Sequence, residues 1–466
     1  MKRRHFITQG ATAATAFSIL PSHVFGKSLG HIAPSDKINL ACVGIGHRGG
    51  QISNTFGSKK LTNIVALCDV DMGAEHTLNV IKKNPKAKQF QDFREMFDKM
   101  SDSIDAVSIG TPDFSHFPIT MKSMALGKHV YVEKPMARTF NEVELMIQGA
   151  KKYGVATQMG NQGHSEANYF QFKSWVDAGI IKDVTAMTAH MNSARRWHGW
   201  DTNMKTLPDG QPVPETLDWD TWLGTAQYHE YNKDYHHGQW RCWYDFGMGA
   251  LGDWGAHIMD TAHQFLELGL PYEVNPKMIE GYNPLFFPQS STLEFKFPKR
   301  KNLPAMTITW YDGVNNQPPL PEGYGTSELD PNIPPPSAGS IQQQKLNPGK
   351  IIYGKDLTLK GGSHGSTLSI ILTDKAKDIK LPEVPESPSD HFENFLLACK
   401  GEEKTRSPFE VAGPLSQVFN LGVIAQRLNQ KLEFDRETKQ ITNNVFANAL
   451  LAGQPPRKGW EEYYLL

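Results

Sequence analysis

The sequence is poor in cysteine and carries almost no net charge. Its 466 residues include four cysteines, none in a CxxC pair and none spaced with histidine in the way of metal ligands. A disulfide framework or a structural metal site is therefore not expected, and the thiols are predicted to be buried and inert. The 48 Lys and Arg and the 49 Asp and Glu nearly cancel and are scattered along the chain. Because binding to a nucleic-acid backbone requires a basic stripe, nucleic acid is not an expected partner.

Long apolar runs are also missing. A helix that spans a bilayer needs about 20 apolar residues, and the weakly apolar stretch 11–20 is shorter and ends at Pro21. This stretch follows the basic start Lys2–Arg4, a pattern that predicts a twin-arginine-type signal peptide over residues 1–30 and an exported, periplasmic protein with no stable membrane span. No clean A-x-A cleavage site follows Pro21. A retained anchor and a disordered basic tail therefore stay open as alternatives.

From Lys37 onward, short apolar runs alternate with helical patterns, which is typical of a parallel sheet with crossover helices. The pattern predicts a doubly wound α/β domain over residues 36–160. Its strand runs are Ile38–Val43, Ile64–Cys68, a weaker run near Phe90, Ala106–Ile109, Val130–Val132 and Val155–Met159.

The first run leads directly into a G-x-G-x-x-G pattern, Gly44 to Gly49. Glycines at this spacing allow a tight turn and let backbone N–H groups approach a pyrophosphate at a helix N-terminus. The second run is followed by Asp69, 20 residues after Gly49, where an acid binds the adenosine ribose and repels the additional phosphate of NADP. NAD is therefore the predicted cofactor. The alternative is a glycine turn beside a solvated aspartate.

Two further turns follow strand runs of this domain. Thr111-Pro112 comes after the fourth run and Glu133-Lys134-Pro135 after the fifth. Open α/β sheets build their sites at the carboxyl ends of their strands. Lys134 lies between a buried run and a proline of fixed φ, which favours a cation that faces the nicotinamide side of the crevice. By spacing alone, a surface lysine is equally possible.

Residues 161–466 show a different pattern. Strand-like alternation with few crossover helices predicts an α+β domain with a large open, mostly antiparallel sheet. The stretch Gln317–Gly349 is rich in Pro, Gly, Ser and Gln and is expected to form a long loop or lid. The strand-like runs are Val184–Met191, Thr292–Phe297 and Met306–Trp310, and the predicted amphipathic helices are His391–Cys399 and Leu415–Leu428.

Taken together, these motifs resemble the glucose-fructose oxidoreductase and inositol dehydrogenase (Gfo/Idh/MocA) family, in its exported branch. The resemblance rests on the glycine turn, on Thr111-Pro112 with His116, on the E-K-P triplet Glu133–Pro135, and on the run Phe246–Asp260. It covers nearly the whole chain after the leader. It implies an NAD-binding Rossmann domain, followed by a domain that binds substrate and forms a homo-oligomer through its sheet. The implied cofactor-binding residues are Gly44, Gly46, His47, Arg48, Gly49, Asp69, Thr111, Pro112, His116, Glu133 and Lys134.

The run Phe246–Asp260 contains a D-x-x-x-H pattern. Asp253 and His257 are four residues apart, so on a helix they share a face, with Cβ atoms roughly 5 to 6 Å apart. Following the family's pattern, His257 is the expected base, Asp253 orients it and the substrate hydroxyl, and Lys134 stabilises the developing alkoxide. His116 also matches a family position, although it could simply cap its helix. Without the E-K-P triplet, a solvated Asp-His pair would be the better interpretation.

Aromatic and basic residues are unusually dense in the second domain, at Arg195–Trp200 and Trp240–Tyr244. Flat aromatic faces pack against sugar rings, and Arg and His side chains bind their hydroxyls, so a sugar fits better than a small acid. The alternative is that these aromatics pack in the core or in an interface. The candidate substrate-binding residues are Asn161, Arg195, Arg196, Trp243, Tyr244, Asp253 and His257.

These features predict an NAD-dependent oxidoreductase that transfers a hydride between bound nicotinamide and a ring hydroxyl of a sugar, glycoside or cyclitol. An exported enzyme has no obvious pool of soluble NAD, so it is expected to keep its cofactor. The alternative is a glycosidase, epimerase or lyase that recycles bound NAD internally, although the glycosidase branch of the family often lacks the E-K-P triplet. A carbohydrate-binding regulatory protein is a third reading, disfavoured by the intact set of Lys134, Asp253 and His257.

Overall fold

The computed structural model describes residues 36–193, 195–236, 238–325, 346–371, 373, 376 and 379–465. The predicted signal peptide, residues 1–30, and the centre of the predicted loop, residues 326–345, lie outside the described residues. No helix in the described ranges combines the length and the apolar character needed to cross a membrane.

The first half of the chain forms the predicted doubly wound domain. Its six strands are all parallel and lie in the order β3-β2-β1-β4-β5-β6. β1 is buried at all but one position and β4 at every position, because helices cover both faces of the sheet. The strands are β1 (Ile38–Val43), β2 (Thr62–Cys68), β3 (Lys88–Phe90), β4 (Ala106–Ile109), β5 (His129–Val132) and β6 (Thr157–Met159).

Five helices connect or follow these strands, and the longest shows how the sequence sets their ends. They are α1 (His47–Ser58), α2 (Glu75–Lys83), α3 (Phe93–Met100), α4 (His116–Ala125) and α5 (Phe140–Tyr153). The Thr139 hydroxyl accepts a hydrogen bond from the Glu142 N–H, and the Glu142 carboxylate accepts one from the Thr139 N–H. These two bonds satisfy N–H groups that the first turn of α5 leaves free. Gly154, in the left-handed conformation, ends the helix.

Among the described residues, the second sheet has nine strands in the order β13-β12-β11-β7-β10-β9-β8-β14-β15. The β7–β10 pair is parallel and the other pairs are antiparallel, which confirms the predicted mostly antiparallel sheet. The strands are β7 (Ala186–Met191), β8 (Glu273–Glu280), β9 (Ser290–Phe297), β10 (Met306–Asp312), β11 (Gly349–Tyr353), β12 (Thr358–Gly362), β13 (Leu368–Ile370), β14 (Leu432–Asp435) and β15 (Gln440–Ile441).

Several of these strands escaped the sequence analysis for local reasons. Pro276 lies inside β8, where the pairing with β9 shifts register. A proline is accommodated there because a bulge does not need its missing N–H. β12 ends in Gly361 and Gly362, and glycine weakens the apolar alternation by which a strand is recognised.

The helices of the second half include the one that carries two of the candidate catalytic residues. They are α6 (Ala167–Asp177), α7 (Trp219–Leu223), α8 (Gly249–Ile258), α9 (Asp260–Phe265), α10 (His391–Cys399), α11 (Phe409–Leu428) and α12 (Val445–Ala452). α8 packs closely on α11, since a Cβ added at Gly255 would lie 2.7 Å from the ring of Phe419. That close approach fixes the helix that carries both Asp253 and His257.

The chain returns to the first domain after the second sheet. Phe395 of α10 is fully buried against Phe56 and Tyr131, with ring centroids 5.9 and 5.7 Å away. Near the C-terminus, Trp460 packs on Phe93 with centroids 6.0 Å apart. The predicted boundary at residue 160 therefore separates the two sheets but does not separate the two hydrophobic cores.

We expect Phe395→Ala to lower the free energy of unfolding by about 3–5 kcal/mol, because it leaves a cavity between α10 and the first sheet. Urea denaturation followed by circular dichroism measures the change. Phe446→Ala is the matched control, since that side chain is 84% exposed and its truncation should stay within about 0.5 kcal/mol. Equal effects of the two substitutions would contradict the packing described for α10.

Candidate active site

A single cavity of about 810 Å³ runs along the carboxyl edge of the first sheet and reaches α8. This volume lies toward the upper end of the roughly 300–1,000 Å³ typical of ligand sites. The glycine turn lines one part of the cavity, and Lys134, Asp253 and His257 line another. The motifs recognised separately in the two halves of the sequence thus meet in one space.

The glycine turn is packed so closely that side chains are excluded. Gly44 has a φ of +73°, and a Cβ added at Gly49 would lie 1.7 Å from the Gly44 carbonyl oxygen. Gly110, at the end of β4, packs on Gly49 in the same way, with a Cβ-to-Cα distance of 2.6 Å. The turn therefore leaves room for a ligand's phosphates to approach the backbone at the start of α1.

Asp69 lies beside this turn at the end of β2. Its carboxylate accepts hydrogen bonds from the backbone N–H groups of Ile45 (2.8 Å) and Gly46 (3.0 Å). Burial raises the pKa of Asp69, and these backbone donors oppose the rise. The glycine turn and the adjacent carboxylate fit a pyrophosphate and a ribose respectively, so the residues present suit NAD.

The E-K-P turn is held from two directions. Arg48 of α1 forms an ion pair with Glu133 at 3.3 Å, and the Gln162 amide donates to the same carboxylate at 3.2 Å. Both ring nitrogens of His116 face backbone carbonyl oxygens, that of Pro135 at 2.8 Å and that of Thr111 at 2.9 Å. Burial lowers the pKa of His116 to about 4. As a neutral ring, His116 lies between the two turns and donates a hydrogen bond to only one of these oxygens at a time.

Asp253 is the electrostatic centre of the other part of the cavity. The Lys134 ammonium donates to its Oδ1 at 2.8 Å and to its backbone carbonyl at 2.7 Å. Arg196 donates to its Oδ2 at 2.5 Å, and Arg195 lies 3.5 Å from the same atom. Burial alone would raise the pKa of Asp253, but Lys134, Arg196 and Arg241 outweigh it and hold this pKa well below its usual value.

His257 lies one turn further along α8, and its ring is stacked on a second histidine. The rings of His257 and His364 are 3.9 Å apart and nearly parallel, at 16°. The backbone N–H of His364 also donates a hydrogen bond to the backbone carbonyl oxygen of His257 at 2.8 Å. Burial lowers the pKa of His257 far below its usual value, and the nearby Lys134 and His364 lower it further. His257 is therefore neutral at pH 7 and able to accept a proton.

Asp113 and His364 are among the residues lining this part of the cavity that the sequence analysis missed. Asp113 directly follows Thr111-Pro112, so its place after β4 was a signal that could have found it. Burial raises its pKa to about 7, against the opposing effect of Arg241. His364 lies between β12 and β13, far from any motif, and only the fold brings it to His257.

Three predicted substrate-binding residues do not line the cavity, and for each the structure corrects the expectation. Asn161 is buried, and its side chain bonds Ser407 and Asp260. The Trp243 indole donates to the Asp234 carbonyl oxygen inside an aromatic cluster, and Tyr244 packs on Phe287. Both rings are almost fully buried, as expected if they pack in the core and do not bind substrate. The aromatic residues that do line the cavity are Phe93, Trp222, Trp240, Trp254 and Trp460.

The remaining predicted site residues lie along the cavity. Arg195 is half-exposed at its rim, with its guanidinium 5.5 Å above the Trp254 ring. Within the described ranges, no group of three or more His, Cys, Asp and Glu residues is arranged to hold a metal ion. Predicted residues that line the cavity are Gly44, Gly46, His47, Arg48, Asp69, Thr111, Pro112, His116, Glu133, Lys134, Arg195, Arg196, Asp253 and His257, with Gly49 packed beneath the turn.

Two family descriptions match this architecture. The oxidoreductase family with an NAD-binding Rossmann fold (GFO/IDH/MocA) matches residues 38–161, and the family's C-terminal α/β domain matches residues 166–277. The chain belongs to this family. NAD is accordingly the cofactor of its first domain, as the sequence predicted.

Curated relatives match part of the chain. A glycosyl hydrolase family 109 protein of Shewanella sp. (strain MR-4) is 32% identical over 229 residues, which are 44% of this chain and 49% of the relative. An alpha-N-acetylgalactosaminidase of Shewanella oneidensis is 29% identical over the same shares. The chain thus spans about half the length of the curated relatives it matches.

Solved structures resemble nearly the whole fold at low identity. An aldose-aldose oxidoreductase from Caulobacter crescentus, complexed with glycerol, has a TM-score of 0.54 and 16% identity, and covers 85% of this chain and 100% of its own. The WlbA dehydrogenase from Bordetella pertussis, in complex with NADH and UDP-GlcNAcA, has a TM-score of 0.55 and 14% identity, with shares of 86% and 99%. At these identities the likeness shows the fold alone.

We expect Gly49→Ala to abolish NAD binding or weaken it at least tenfold, because the new methyl group would overlap the Gly44 carbonyl oxygen and open the turn. Calorimetric titration of cofactor-free protein with NAD measures the affinity. Gly57→Ala, in the same helix, is the control, since the nearest neighbour of its Cβ would be the end of the Ile64 side chain at 3.1 Å. Normal NAD affinity in Gly49→Ala would show that the turn does not hold the cofactor.

Proposed function

We propose that the protein is an NAD-dependent oxidoreductase acting on a ring hydroxyl of a sugar, glycoside or cyclitol. One observation carries the proposal. Lys134, from the carboxyl edge of the first sheet, and Asp253 and His257, from α8, line the same cavity as the glycine turn. A cation, a carboxylate and a neutral histidine beside a dinucleotide site are the groups that alcohol oxidation needs.

Each of these side chains has a defined part in the reaction. NAD, when bound, supplies the acceptor for the hydride that leaves the substrate carbon, and in the reverse direction it returns one. His257 is neutral and takes the hydroxyl proton onto its ring. The Lys134 ammonium stabilises the negative charge that develops on the substrate oxygen. Asp253 holds Lys134 at 2.8 Å and, one turn before His257, orients the hydroxyl between them.

The cavity wall supports a sugar-like substrate. Trp254 presents a ring beside His257 and His364, with centroids 6.1 and 5.4 Å away. Flat rings pack against the C–H faces of a sugar, while Arg195, Arg196 and the histidines offer hydrogen bonds to its hydroxyls. A polar, ring-shaped alcohol therefore fits this wall better than a small aliphatic one.

The basic start of the sequence, Lys2–Arg4, supports a location outside the cytoplasm. No soluble pool of NAD is obvious there. An exported enzyme needs NAD that stays bound and is regenerated within the site by a second substrate or a later step.

We also propose that the protein forms a homo-oligomer through its second sheet. On strand β10 of that sheet, Thr307, Thr309 and Tyr311 are half-buried.

A second candidate is a glycosidase, epimerase or lyase that oxidises its substrate only transiently. The observation that favours it is the match to glycosyl hydrolase family 109 proteins over 44% of the chain. In that case His257 or His364 would remove a proton from a carbon made acidic by the neighbouring ketone. The same cavity residues serve both candidates, so the fate of the cofactor distinguishes them.

We expect protein purified without added cofactor to release about one NAD(H) per chain on denaturation, because an exported enzyme must retain it. The native protein is then offered glycosides, free sugars and cyclitols while the absorbance of reduced nicotinamide is followed. Cofactor that is reduced once and waits for a second substrate supports the oxidoreductase. Product release without net reduction supports the second candidate. Protein that neither contains nor binds NAD would overturn both.

We expect Lys134→Met and His257→Asn each to lower kcat by about 10²–10⁴-fold, since each removes a group that handles the substrate proton or its charge. Bound NAD should stay close to the wild-type amount, which separates lost chemistry from lost folding. Lys151→Met is the control, because Lys151 is exposed on α5. Activity within about threefold of wild type in either variant would remove that residue from the mechanism.

A further inference from the structure

The part of the cavity around His257 contains more positive than negative side chains. Apart from Arg48 and Glu133, whose charges cancel in an ion pair, its cations are Lys134, Arg195, Arg196 and Arg241, and its acids are Asp113 and Asp253. Burial raises the pKa of Asp113 to about 7, so at neutral pH this carboxyl carries only part of a charge. The cations therefore outnumber the fixed anions by at least two.

Asp253 cannot neutralise this excess. Its carboxylate already binds Lys134 and Arg196 at 2.8 and 2.5 Å, with Arg195 at 3.5 Å. A single carboxylate carries one charge, so most of the charge on these three cations is left without a counter-ion. Water hydrates Arg195, whose side chain is 44% exposed. The side chains of Lys134 and Arg196 are only 13% and 20% exposed, and water compensates poorly for charges at such a depth.

Arg241 forms no ion pair among the described residues. Its guanidinium makes no hydrogen bond within these ranges and lies over the Trp240 ring, 4.1 Å from its centre, while Asp113, Asp253 and Glu133 act on it only at longer range. Burial lowers the pKa of Arg241, and the neighbouring Arg196 lowers it further. A half-buried guanidinium with unused donors is costly unless a ligand pairs with it.

Arg196, which lies near Arg241, also has a donor without a hydrogen-bond partner. One terminal nitrogen binds Asp253, but its Nε–H is buried without a hydrogen-bond partner. Arg196 also has a φ of +67°, a conformation that a non-glycine residue adopts at some cost. Arg241 thus has unused donors at the cavity wall, and the neighbouring Arg196 has a further donor that is occluded and unsatisfied.

We infer that the substrate carries an anionic group, a carboxylate or a sulfate ester on its sugar ring, which Arg241 and Arg196 bind. The planar fork of a guanidinium matches the paired oxygens of both groups. The inference rests on the proposed function for placing a sugar in this part of the cavity, and it narrows the substrate class from neutral to acidic sugars.

The cofactor does not supply the missing anion in this arrangement. The phosphate-binding turn starts α1, whereas Arg241 interacts electrostatically with Asp113 and Asp253, next to His257. The anion is therefore assigned to the substrate. An unchanged NAD affinity in an Arg241 variant is the corresponding check.

The test is equilibrium binding to the NAD-loaded protein, measured by calorimetry in low salt. Probes come in matched sets: methyl glucoside with methyl glucuronide, methyl galactoside with methyl galacturonide, and glucose with glucose 6-sulfate. We expect at least one acidic member to bind ten times or more tighter than its neutral partner, with an affinity that falls as NaCl is raised. The uronides and the sulfate separate the two sources of negative charge.

Arg241→Gln should remove this preference, weakening the acidic probe about tenfold or more while leaving the neutral probe and NAD unchanged. Arg427→Gln is the matched control, because Arg427 also lies over an aromatic ring, that of Tyr244 at 5.2 Å, but outside the cavity. Arg241→Lys should keep the salt dependence in part, since it keeps the charge and loses the fork.

Three results would overturn the inference: neutral and acidic partners that bind equally well, no binding by any acidic probe, or equal losses for both partners in Arg241→Gln. The readout is binding and needs no turnover. An acidic-sugar preference without redox activity would therefore count against the proposed function alone, and redox activity on neutral sugars alone would count against this inference.

Discussion

The ion pair between Lys134 and Asp253 joins the two halves of the molecule at the place where chemistry is expected. Lys134 follows the fifth strand of the first sheet, and Asp253 lies on α8 of the second half, with the ammonium bonded to both its carboxylate and its backbone. Their side chains are only 13% and 12% exposed. Loss of Asp253 would leave Lys134 as an uncompensated buried charge, which commonly costs about 3–5 kcal/mol. Together with the close packing of α8 on α11, this pair holds α8, and hence His257, over the first sheet.

The same pair sets the charge state of the histidine that it positions. After burial, Lys134 is the strongest influence that lowers the pKa of His257, and the stacked His364 adds to it. His257 therefore stays neutral over the whole physiological range and remains able to accept a proton. A weak base suffices if Lys134 stabilises the alkoxide at the same time, because the hydroxyl then gives up its proton more readily. The Lys134–Asp253 ion pair thus helps to position His257, and its Lys134 also helps to keep His257 neutral.

Local sequence determined the first domain well and the site in part. The glycine turn, Asp69 and the E-K-P triplet follow individual strands, and the ends of parallel strands necessarily meet at one edge. Trp243 and Tyr244 were placed in the site because their neighbours are basic and aromatic, yet their rings point into a cluster with Phe286 and Phe287. Trp243 and Tyr244 lie outside any regular helix or strand, so no periodicity indicates which way their side chains face. The approach of His364 to His257 depends on strands β12 and β13, and no local pattern encodes it.

The family match ends at residue 277, and the residues that line the cavity lie on both sides of this limit. Lys134, Asp253 and His257 all lie within the matched residues 38–161 and 166–277. His364, which stacks on the expected base, lies beyond them, on a turn whose Gly365 packs against Glu166. The matched part therefore contains the cofactor site, the candidate catalytic residues, and the two arginines, Arg196 and Arg241, to which the anionic group of the substrate is assigned. The part beyond it adds His364 and Trp460 to the cavity wall, so part of the cavity's shape depends on residues that the family match does not cover.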